Sequence, residues 1–446
     1  ASPGTAAETP SGGEEEEEEL AIAVRVARGV ADVKEEAWDA CAGEDNPFLR
    51  HSFFRALEES GSAAKEEGWL PHHLLAESED GKEVYGVVPL YLKSHSMGEY
   101  VFDQNWATAY QQMAGFWEDV GEYYPKLQGC VPFTPATGSR LLVSSNIAER
   151  GEEQRLMVMQ ALARALRAVT DDLGVSSAHV TFPTREEWEI MGGVGFEQRL
   201  GVQYHWSNQG YETFDDFLAT LKQKKRKSIR QERRKVAEAP VTIHRLRGDA
   251  IKPRHWDAFY GFYRNTIDAH WARDYLKKEF FYQLGETMAD RVMLVVAEED
   301  ETGELVAGAL NLIGDDCIYG RNWGCSKQYN SLHFECCYYQ AIDAAIELGI
   351  PRVEAGAQGE HKIRRGYLPT LTYSAHYLAK GPSGFTDAVR SFLEQERRDI
   401  YYTLTVLSMQ ESPFKGDDVL EKHLKTQGVV VKDDRIMLTK PEKDAA

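Results

Sequence analysis

The polar residues best suited to chemistry lie in the C-terminal half of this 446-residue chain, between residues 319 and 376. Residues 352–355 are predicted to form a short strand that delivers Glu354, and Glu360 and His361 follow in a turn. Loops beyond the C-terminal ends of strands commonly carry catalytic groups in α/β folds. A carboxylate in such a dry site has a raised pKa and can accept a proton from an amine. We therefore predict that Glu354, Glu360 and His361 are catalytic.

The same two carboxylates also fit a purely structural role, because ion pairs of this kind are common. Four cations lie close to them in the sequence and could neutralise them: Arg352, Lys362, Arg364 and Arg365. On the sequence alone, both interpretations stay open.

Further polar and aromatic side chains are candidates for contacting a substrate. A helix is predicted over 332–348, and its apolar stripe leaves His333 and Glu335 in the first turn, facing the strand ends. Within residues 87–143, the stretches 87–110 and 123–143 mix aromatic, Pro, Gly and charged residues, and we predict long ordered loops there that line a pocket. Trp106 in that segment equally fits a core aromatic residue. The predicted substrate-binding residues are Tyr319, Arg321, Trp323, His333, Glu335, Gln358, Lys362, Arg365, Asp103 and Trp106.

A metal site and a catalytic thiol are the alternative chemistries for this region. The candidate ligands are His333, Glu335, Glu360, His361 and His376, but the chain has no HExxH or paired Cys/His spacing. We therefore predict no metal. The six cysteines form no CxxC pair, and Cys336 and Cys337 lie in an apolar helix, which indicates core positions and a reducing compartment.

A basic segment contrasts with the rest of the chain, whose formal net charge is −20. Residues 222–235, KQKKRKSIRQERRK, hold nine basic residues and one acid on a helix predicted over 213–239. Such a cluster can contact the phosphates of RNA, a nucleotide or a phosphate-bearing cofactor. A solvated helix that pairs with acidic neighbours is the competing interpretation. The predicted phosphate- or RNA-binding residues are Lys224, Arg226, Lys227, Arg230 and Arg233.

The length and the order of elements predict how these residues are positioned. A chain of this length usually forms two cores, and the alternation of predicted strands and helices indicates an α/β architecture. We divide the chain into a disordered acidic tail over 1–19, units over 20–194 and 195–385, and a helical extension over 386–446. The clearest predicted elements are a helix over 152–173 that stops at Gly174, and strands over 22–26, 84–92, 196–206, 292–298 and 305–313. No run of about 18 apolar residues is present, so we predict a soluble protein without a membrane span.

Several segments in order resemble the FemAB-like family within the GNAT superfamily, and the resemblance runs from about Asn46 to Leu393. The segments that carry it are NPFLRHSFFRALEESG, PLYLKSHSMGEYVFD, YYPKLQGCVPFTPATGSRLLV, KQKKRKSIRQERRK, LHFECCYYQAI and EAGAQGEHKIRRGYLP. The chain is similar to a branch found in bacteria and photosynthetic eukaryotes. The resemblance implies tandem GNAT-like domains, each a mixed, mostly antiparallel sheet flanked by helices, with the active site in the second.

The resemblance also implies a reaction, namely N-acyl or aminoacyl transfer to a small-molecule or peptide amine. Acyl-CoA or aminoacyl-tRNA would be the donor, tRNA would be a partner, and no tightly bound cofactor is expected. The RxxGxG/A loop of acetyl-CoA enzymes is missing, since residues 328–331 lack its glycines. A non-catalytic GNAT-fold binding or assembly protein, or an RNA-binding protein that uses residues 222–235, are the alternatives. The expected compartment is the chloroplast stroma, with the cytoplasm as the alternative.

Overall fold

The computed structural model of the chain describes residues 20–115, 121–269, 274–356, 360–379, 381–410, 412–416, 418–432 and 435–439. The strands are β1 Ala23–Ala27, β2 Trp69–Pro71, β3 His73–Glu77, β4 Val84–Val88, β5 Leu90–Lys93, β6 Lys126–Gly129, β7 Leu142–Val143, β8 Ser177–Thr181, β9 Glu197–Ser207, β10 Val241–Arg247, β11 Val292–Glu299, β12 Leu305–Ile313, β13 Cys317–Cys325, β14 Arg352–Glu354, β15 Leu368–Leu378, β16 Val429–Lys432 and β17 Arg435–Leu438. The helices are α1 Glu35–Ala42, α2 His51–Glu59, α3 Gln104–Ala114, α4 Ser145–Arg150, α5 Glu152–Leu173, α6 Arg185–Gly193, α7 Phe214–Thr220, α8 Gln223–Ala237, α9 Pro253–Ala269, α10 Lys278–Thr287, α11 Leu332–Phe334, α12 Gln340–Leu348, α13 Phe385–Gln410 and α14 Val419–Thr426.

One long sheet runs through both halves of the chain. Its eleven strands lie in the order β10-β11-β12-β13-β14-β9-β15-β8-β6-β5-β2, and a separate sheet has the order β1-β3-β4-β7. Neighbouring strands are antiparallel except for the pairs β13–β14 and β6–β8. The mixed, mostly antiparallel α/β architecture predicted from the sequence is confirmed.

The long sheet separates two apolar clusters. Along β11, Val292, Leu294 and Val296 belong to one cluster, while Met293 and Val295 belong to the other. This alternation is the period of two that a strand imposes on its side chains. Helices α2, α9 and α10 pack in the cluster of Val292, and helices α5 and α12 pack in the cluster of Met293.

The predicted helix over 152–173 matches α5, which ends where Gly174 adopts a left-handed conformation. The predicted single helix over 213–239 is wrong, because α7 and α8 are separated at Leu221. Leu221 is buried and extended, it forms a β-bridge with Phe414, and the N–H of Lys222 donates to the Pro413 carbonyl. A tertiary contact therefore ends the helix, although local propensity favours its continuation.

Two further predictions need correction in the N-terminal half. The single strand over 84–92 is two strands, β4 and β5, which belong to different sheets and flank Pro89. Proline cannot donate to a ladder, so the chain changes sheets there. The segment predicted as loops over 87–143 includes helix α3, which carries Trp106, and strand β6.

The C-terminal extension contains more than helices. After α13 and α14, strands β16 and β17 form an antiparallel pair. Within the residues that the structure describes, no helix is long and apolar enough to cross a membrane.

Strand β13 has two irregularities that shape its surroundings. It pairs with β14 over three residues, Cys317 to Tyr319, while β13 itself continues to Cys325. On its other side, Leu310 pairs with Asn322 and Asn311 pairs with Gly320, so Arg321 is an extra residue in a β-bulge. Bulges re-aim side chains and often lie beside active sites.

The contact between β13 and α9 provides a test of this packing. A Cβ added at Gly324 would collide with the backbone carbonyl of Phe262 in α9. We expect Gly324→Ala to lower the free energy of unfolding by about 2 kcal/mol or more, since backbone cannot rotate away.

The matched control lies in the same helix. Gly261 in α9 is exposed, and a Cβ there would meet nothing within 4 Å. Gly261→Ala should raise the free energy of unfolding by about 0.5–1 kcal/mol through helix propensity. Urea unfolding of both variants measures the two effects, and equal stability of Gly324→Ala and the wild type would contradict this packing.

Candidate functional site

Glu354 ends β14 at the point where β13 and β14 cease to pair. Tyr319 on β13 and His205 on β9 are its register partners, so these side chains share one face of the long sheet. All three side chains are buried. The sequence prediction that Glu354 lies at a strand end is confirmed.

The Glu354 carboxylate is buried without a close partner. Neither of its oxygens has a hydrogen-bond partner within the distance limits among the described residues, although the backbone N–H of Thr137 acts on the carboxylate and lowers its pKa. His205 Nε2 lies 3.8 Å from Oε1, and Arg352 Nε lies 3.6 Å from it. Arg352 donates instead to Asp316 at 3.0 Å. The carboxylate therefore keeps its lone pairs available.

Burial raises the pKa of Glu354 to about 7, although the nearby charge of Arg352 acts in the opposite direction. Burial also lowers the pKa of His205 well below its ordinary value, so this imidazole is neutral near pH 7. His205 Nε2 lies 3.2 Å from Gln203 Oε1. A neutral imidazole does not neutralise the carboxylate, and a carboxyl group that titrates near pH 7 suits general-base chemistry.

A loop from the N-terminal half, residues 131–140, covers this face of the sheet. Gln203 Nε2 donates to the Pro135 carbonyl at 2.9 Å, which ties β9 to the loop. The buried Arg140 fixes the loop by donating to backbone carbonyls at 2.7–3.0 Å, including that of Thr181. Both halves of the chain therefore build the surroundings of Glu354.

Arg321 meets the same loop from β13. Its Nη2 donates to the Phe133 carbonyl and, at 3.1 Å, to Thr134 Oγ1. Phe48 lies 5.5 Å from the guanidinium carbon, measured to the ring centroid. The bulge thus turns Arg321 toward the junction of the two halves.

Other predicted substrate-binding residues surround the helix that follows β13. The helix predicted over 332–348 is present, interrupted by a π turn at Glu335–Tyr339, and π turns are frequent at functional sites. Trp323 packs against the His333 ring at 5.2 Å. Glu335 accepts from Arg233 at 3.0 Å and from Gln340 at 2.7 Å.

The turn after β14 contributes two buried cations. Lys362 Nζ donates to the Gly356 carbonyl at 2.8 Å, and burial lowers the pKa of Lys362 to about 8. Arg365 forms an ion pair with Glu232 of α8 at 3.0 Å and lies over the Phe334 ring. Gln358 and the side chains of Glu360 and His361 lie outside the described residues.

Asp103 and Trp106 belong to a second buried cluster. Asp103 accepts from Lys126 at 2.5 Å and from the Tyr123 hydroxyl at 2.6 Å, and Trp106 packs edge-on against His376. Two lysines and two carboxylates balance in this cluster, since Glu99 lies 2.9 Å from both Lys126 and Lys93.

Two histidines complete this second cluster. His179 Nδ1 lies 2.7 Å from His376 Nδ1, and burial lowers the pKa of both rings. The cluster joins β8, β15 and the segment before α3, and its lysines and carboxylates form ion pairs that are closed to solvent.

The basic helix α8 has cations on two faces, one that packs against the protein and one that is exposed to solvent. Ile229 and Val236 are buried, so the face they share points inward, and Arg233 on that side pairs with Glu335 and Asp343. Lys224, Lys227 and Arg230 are exposed, Arg226 is half-buried, and Arg230 also contacts Asp215 at 2.8 Å. Four of the five predicted phosphate-binding residues therefore remain at the surface.

Sequence reasoning missed Gln203, His205 and Thr137 around Glu354, whereas Arg140 lies in a segment that the sequence predicts to line a pocket. A signal was present for the first two, because Gln203 and His205 alternate with Tyr204 and Trp206 in a predicted strand. A polar face on a buried strand marks a buried polar site. Thr137 gave no such signal, since it lies in a loop.

Comparisons with known proteins place the chain in a family. The sequence profile of the FemAB-like family, described as peptidoglycan biosynthesis/recognition, matches residues 29–416. A search of curated proteins gave no match.

Similar solved structures include FemX, with 11% identity and a TM-score of 0.49 over 78% of this chain and 96% of that one. L-PGS from Bacillus licheniformis has 12% identity and a TM-score of 0.45 over 79% of this chain and 98% of that one. A tandem GNAT protein from the clavulanic acid biosynthesis pathway has 10% identity and a TM-score of 0.41 over 81% of this chain and 100% of that one.

The fold and the site thus define a mixed α/β protein with a buried carboxylate in a sheet to which both halves of the chain contribute strands. The chain belongs to the FemAB-like family.

The titration of Glu354 provides a test of its burial. The pKa of this group is raised from 4.5 in the unfolded chain to about 7 in the fold, so its contribution to stability is present below pH 4.5 and is lost as pH rises through 7. Between pH 5 and pH 8 the loss amounts to about 2–3 kcal/mol. We expect Glu354→Gln, which cannot ionise, to remove this loss. Its free energy of unfolding relative to that of the wild type should therefore be higher at pH 8 than at pH 5.

Urea unfolding at pH 5 and pH 8 measures the effect. The matched control is Glu153→Gln, which changes an exposed glutamate in α5. A stability difference between Glu354→Gln and the wild type that is the same at both pH values would contradict the raised pKa.

Proposed function

We propose that the protein transfers an acyl or aminoacyl group to an amine, with Glu354 as the general base. The observation that carries the proposal is the buried Glu354 carboxylate, whose oxygens lack hydrogen-bond partners among the described residues and whose pKa is raised to about 7. Burying a carboxylate without hydrogen-bond partners is costly, and such groups cluster at functional sites. Membership of a family described as peptidoglycan biosynthesis/recognition supports amide-forming chemistry.

The reaction balances without a cofactor that stays on the protein. The amine nitrogen attacks the donor carbonyl carbon, and Glu354 takes the proton that the nitrogen loses. The new C–N bond forms while the bond to the sulfur of CoA or to the ribose oxygen of tRNA breaks, and the leaving atom takes a proton. The acceptor in this proposal is a small-molecule or peptide amine.

The neighbours of Glu354 have positioning roles in this proposal. His205 and Gln203 hold β9 against the loop over Glu354, and Lys362 fixes the turn after β14 through the Gly356 carbonyl. Arg352, held by Asp316, keeps a positive charge near the carboxylate without binding it closely.

The remaining predicted residues form a wider proposed surface. We assign contacts with either substrate to Tyr319, Trp323, His333, Glu335, Gln358 and Arg365, and we retain Glu360 and His361 as further candidates for proton transfer. Asp103 and Trp106 remain proposals with weaker support, because their contacts lead to the second buried cluster.

Activity assays test the role of Glu354. The donors are acetyl-CoA, followed by thiol release, and tRNA charged with radiolabelled amino acids, each with a panel of peptide amines and amino sugars. We expect Glu354→Gln to lower turnover by about 100-fold or more, the usual contribution of a general base. In the wild type, the rate should rise with pH and level off above about pH 7.

Glu153→Gln is again the control and should retain wild-type turnover. Full turnover of Glu354→Gln would remove Glu354 from the mechanism. Absence of transfer from both donors with every amine would favour a non-catalytic binding or assembly protein.

The exposed cations of α8 support a phosphate-rich donor such as aminoacyl-tRNA. Lys224, Lys227 and Arg230 face solvent in a chain whose net charge is −20. We expect simultaneous Lys224→Gln, Lys227→Gln and Arg230→Gln to weaken tRNA binding about tenfold or more. The slope of log K against log salt should fall by about 2 to 3, since each lost phosphate contact contributes about 0.9.

A second triple variant controls for net charge. Arg55→Gln, Lys82→Gln and Arg398→Gln remove the same charge from exposed positions elsewhere. Filter binding at several salt concentrations compares the two proteins. Equal losses in both triples would show that α8 has no special role, and unchanged binding of the α8 triple would exclude it as a tRNA contact.

A further inference from the structure

The Arg352 guanidinium lies between two carboxylates and forms a hydrogen bond with only one of them. Its Nη2 donates to Asp316 Oδ2 at 3.0 Å, whereas its Nε lies 3.6 Å from Glu354 Oε1. The second distance is too long for a hydrogen bond. Nε of Arg352 is buried and has no hydrogen-bond partner among the described residues, and the same holds for both Glu354 oxygens. A buried donor and a buried acceptor therefore lie next to each other without bonding.

The strand pairing places Arg352 between the two carboxylates. Arg352 and Glu354 are two residues apart on β14, so their side chains leave the same face of the sheet. Arg352 is the register partner of Cys317, and Glu354 is the register partner of Tyr319. Asp316 directly precedes Cys317, so the two carboxylates lie on opposite sides of the guanidinium along the strand direction.

The turn that carries Asp316 is fixed without help from Arg352. Between β12 and β13, the Gly314 N–H donates to the Cys317 carbonyl at 2.8 Å, and the Asp315 N–H donates to the Asp45 carbonyl at 3.0 Å. A Cβ added at Gly314 would lie 2.5 Å from that Asp45 oxygen, so the turn packs tightly against the N-terminal half. Asp316 is thus an acceptor with a fixed position.

The other ionisable groups around the Glu354 carboxylate do not replace Arg352. Burial lowers the pKa of His205 on β9 and raises the pKa of Cys317 and Tyr319 on β13, so all three are neutral near pH 7. The charge of Arg140 acts on the carboxylate from the covering loop, but its guanidinium donates to four backbone carbonyls. Among the described residues, Arg352 is the only permanent cation within 4.0 Å of the carboxylate.

A small movement of Arg352 would change the chemistry of Glu354. A shift of less than about 1 Å would bring Nε within hydrogen-bond distance of Oε1. A charge-assisted bond of this kind lowers the pKa of a carboxyl group by about 1–3 and occupies a lone pair that a base needs. The hydrogen bond from Arg352 to Asp316 opposes this movement.

We infer that Asp316 is a positioning residue that holds Arg352 out of hydrogen-bond contact with Glu354 and so keeps the carboxylate available as the base. Asp316 and Arg352 together then set the pH at which the base becomes active. The purpose of this arrangement rests on the proposed transfer reaction, but the arrangement itself can be tested without any substrate.

A double-mutant cycle with Asp316→Ala and Arg352→Gln tests the inference. Carbon-13 NMR of protein labelled at the glutamate carboxyl carbon measures the pKa of Glu354, and the absence of its signal in Glu354→Gln identifies it. We expect Asp316→Ala to lower this pKa from about 7 to about 6 or less, because the released Arg352 then binds the carboxylate. In the Arg352→Gln background the same change should shift the pKa far less, since no cation is left to move.

Asp315→Ala is the matched control, because it removes the same charge from the adjacent residue, which pairs with Arg291 instead. Its Glu354 pKa should match that of the wild type. Asp316 is exposed, and exposed ion pairs contribute little to stability, so the melting temperature of Asp316→Ala should stay close to that of the wild type.

Three outcomes would overturn the inference: an unchanged pKa of Glu354 in Asp316→Ala, an equal shift in both backgrounds of the cycle, or an equal shift in Asp315→Ala. The comparison of Asp316→Ala with Asp315→Ala decides the question even if Arg352→Gln fails to fold.

Turnover separates this inference from the proposed reaction. At pH 8, where the carboxylate is ionised in both proteins, Asp316→Ala should lower turnover about three- to tenfold, because a weaker base accepts a proton less readily. A lowered pKa in Asp316→Ala without transfer by the wild type from any donor would leave the positioning of Arg352 standing and remove the reaction. Turnover that needs Glu354 but is unchanged in Asp316→Ala, with an unchanged pKa, would keep the reaction and remove the inference.

Discussion

The short parallel pairing between β13 and β14 is the constraint on which the site depends. Three residue pairs hold the strands together, and β13 then continues past the end of β14. Glu354 is the last residue of β14, so the sheet fixes its position. No pairing between β13 and β14 continues beyond it. The bulge at Arg321 directly follows the paired segment and turns a second charged side chain toward the same region. A longer pairing between β13 and β14 would place strand residues in the space beyond Glu354.

Both halves of the chain contribute residues to the site because they share the eleven-stranded sheet. Strands β9 and β15 link β14 to β8, so residues far apart in sequence share one face. The loop over 131–140 then covers that face, held by Arg140 through backbone carbonyls and by Gln203 through Pro135. The loop lies over the buried Glu354 carboxylate, and burial is the largest cause of the raised pKa of this group.

The Asp103 cluster differs from the surroundings of Glu354 and Arg321 in how closely its opposite charges pair. The cluster around Asp103 contains two lysines and two carboxylates that neutralise each other, and it joins the N-terminal segment to β8 and β15. Around Glu354 and Arg321, by contrast, opposite charges lie on the same side of the sheet without pairing closely. Buried charges without hydrogen-bond partners destabilise a fold, so in the proposed reaction a bound substrate would supply the missing interactions.

The sequence by itself determined the elements whose signals are local and the residues placed at their ends. The periodicity of residues 152–173 and the stop at Gly174 define α5, and the short strand predicted over 352–355 places Glu354 near a strand end. Only the tertiary structure decided that His205, Gln203 and Thr137 surround Glu354, that Leu221 breaks a helix, and that β4 and β5 enter different sheets. The physical reason is that pairing between distant strands and loops chooses which groups meet, and local periodicity holds no information about that choice.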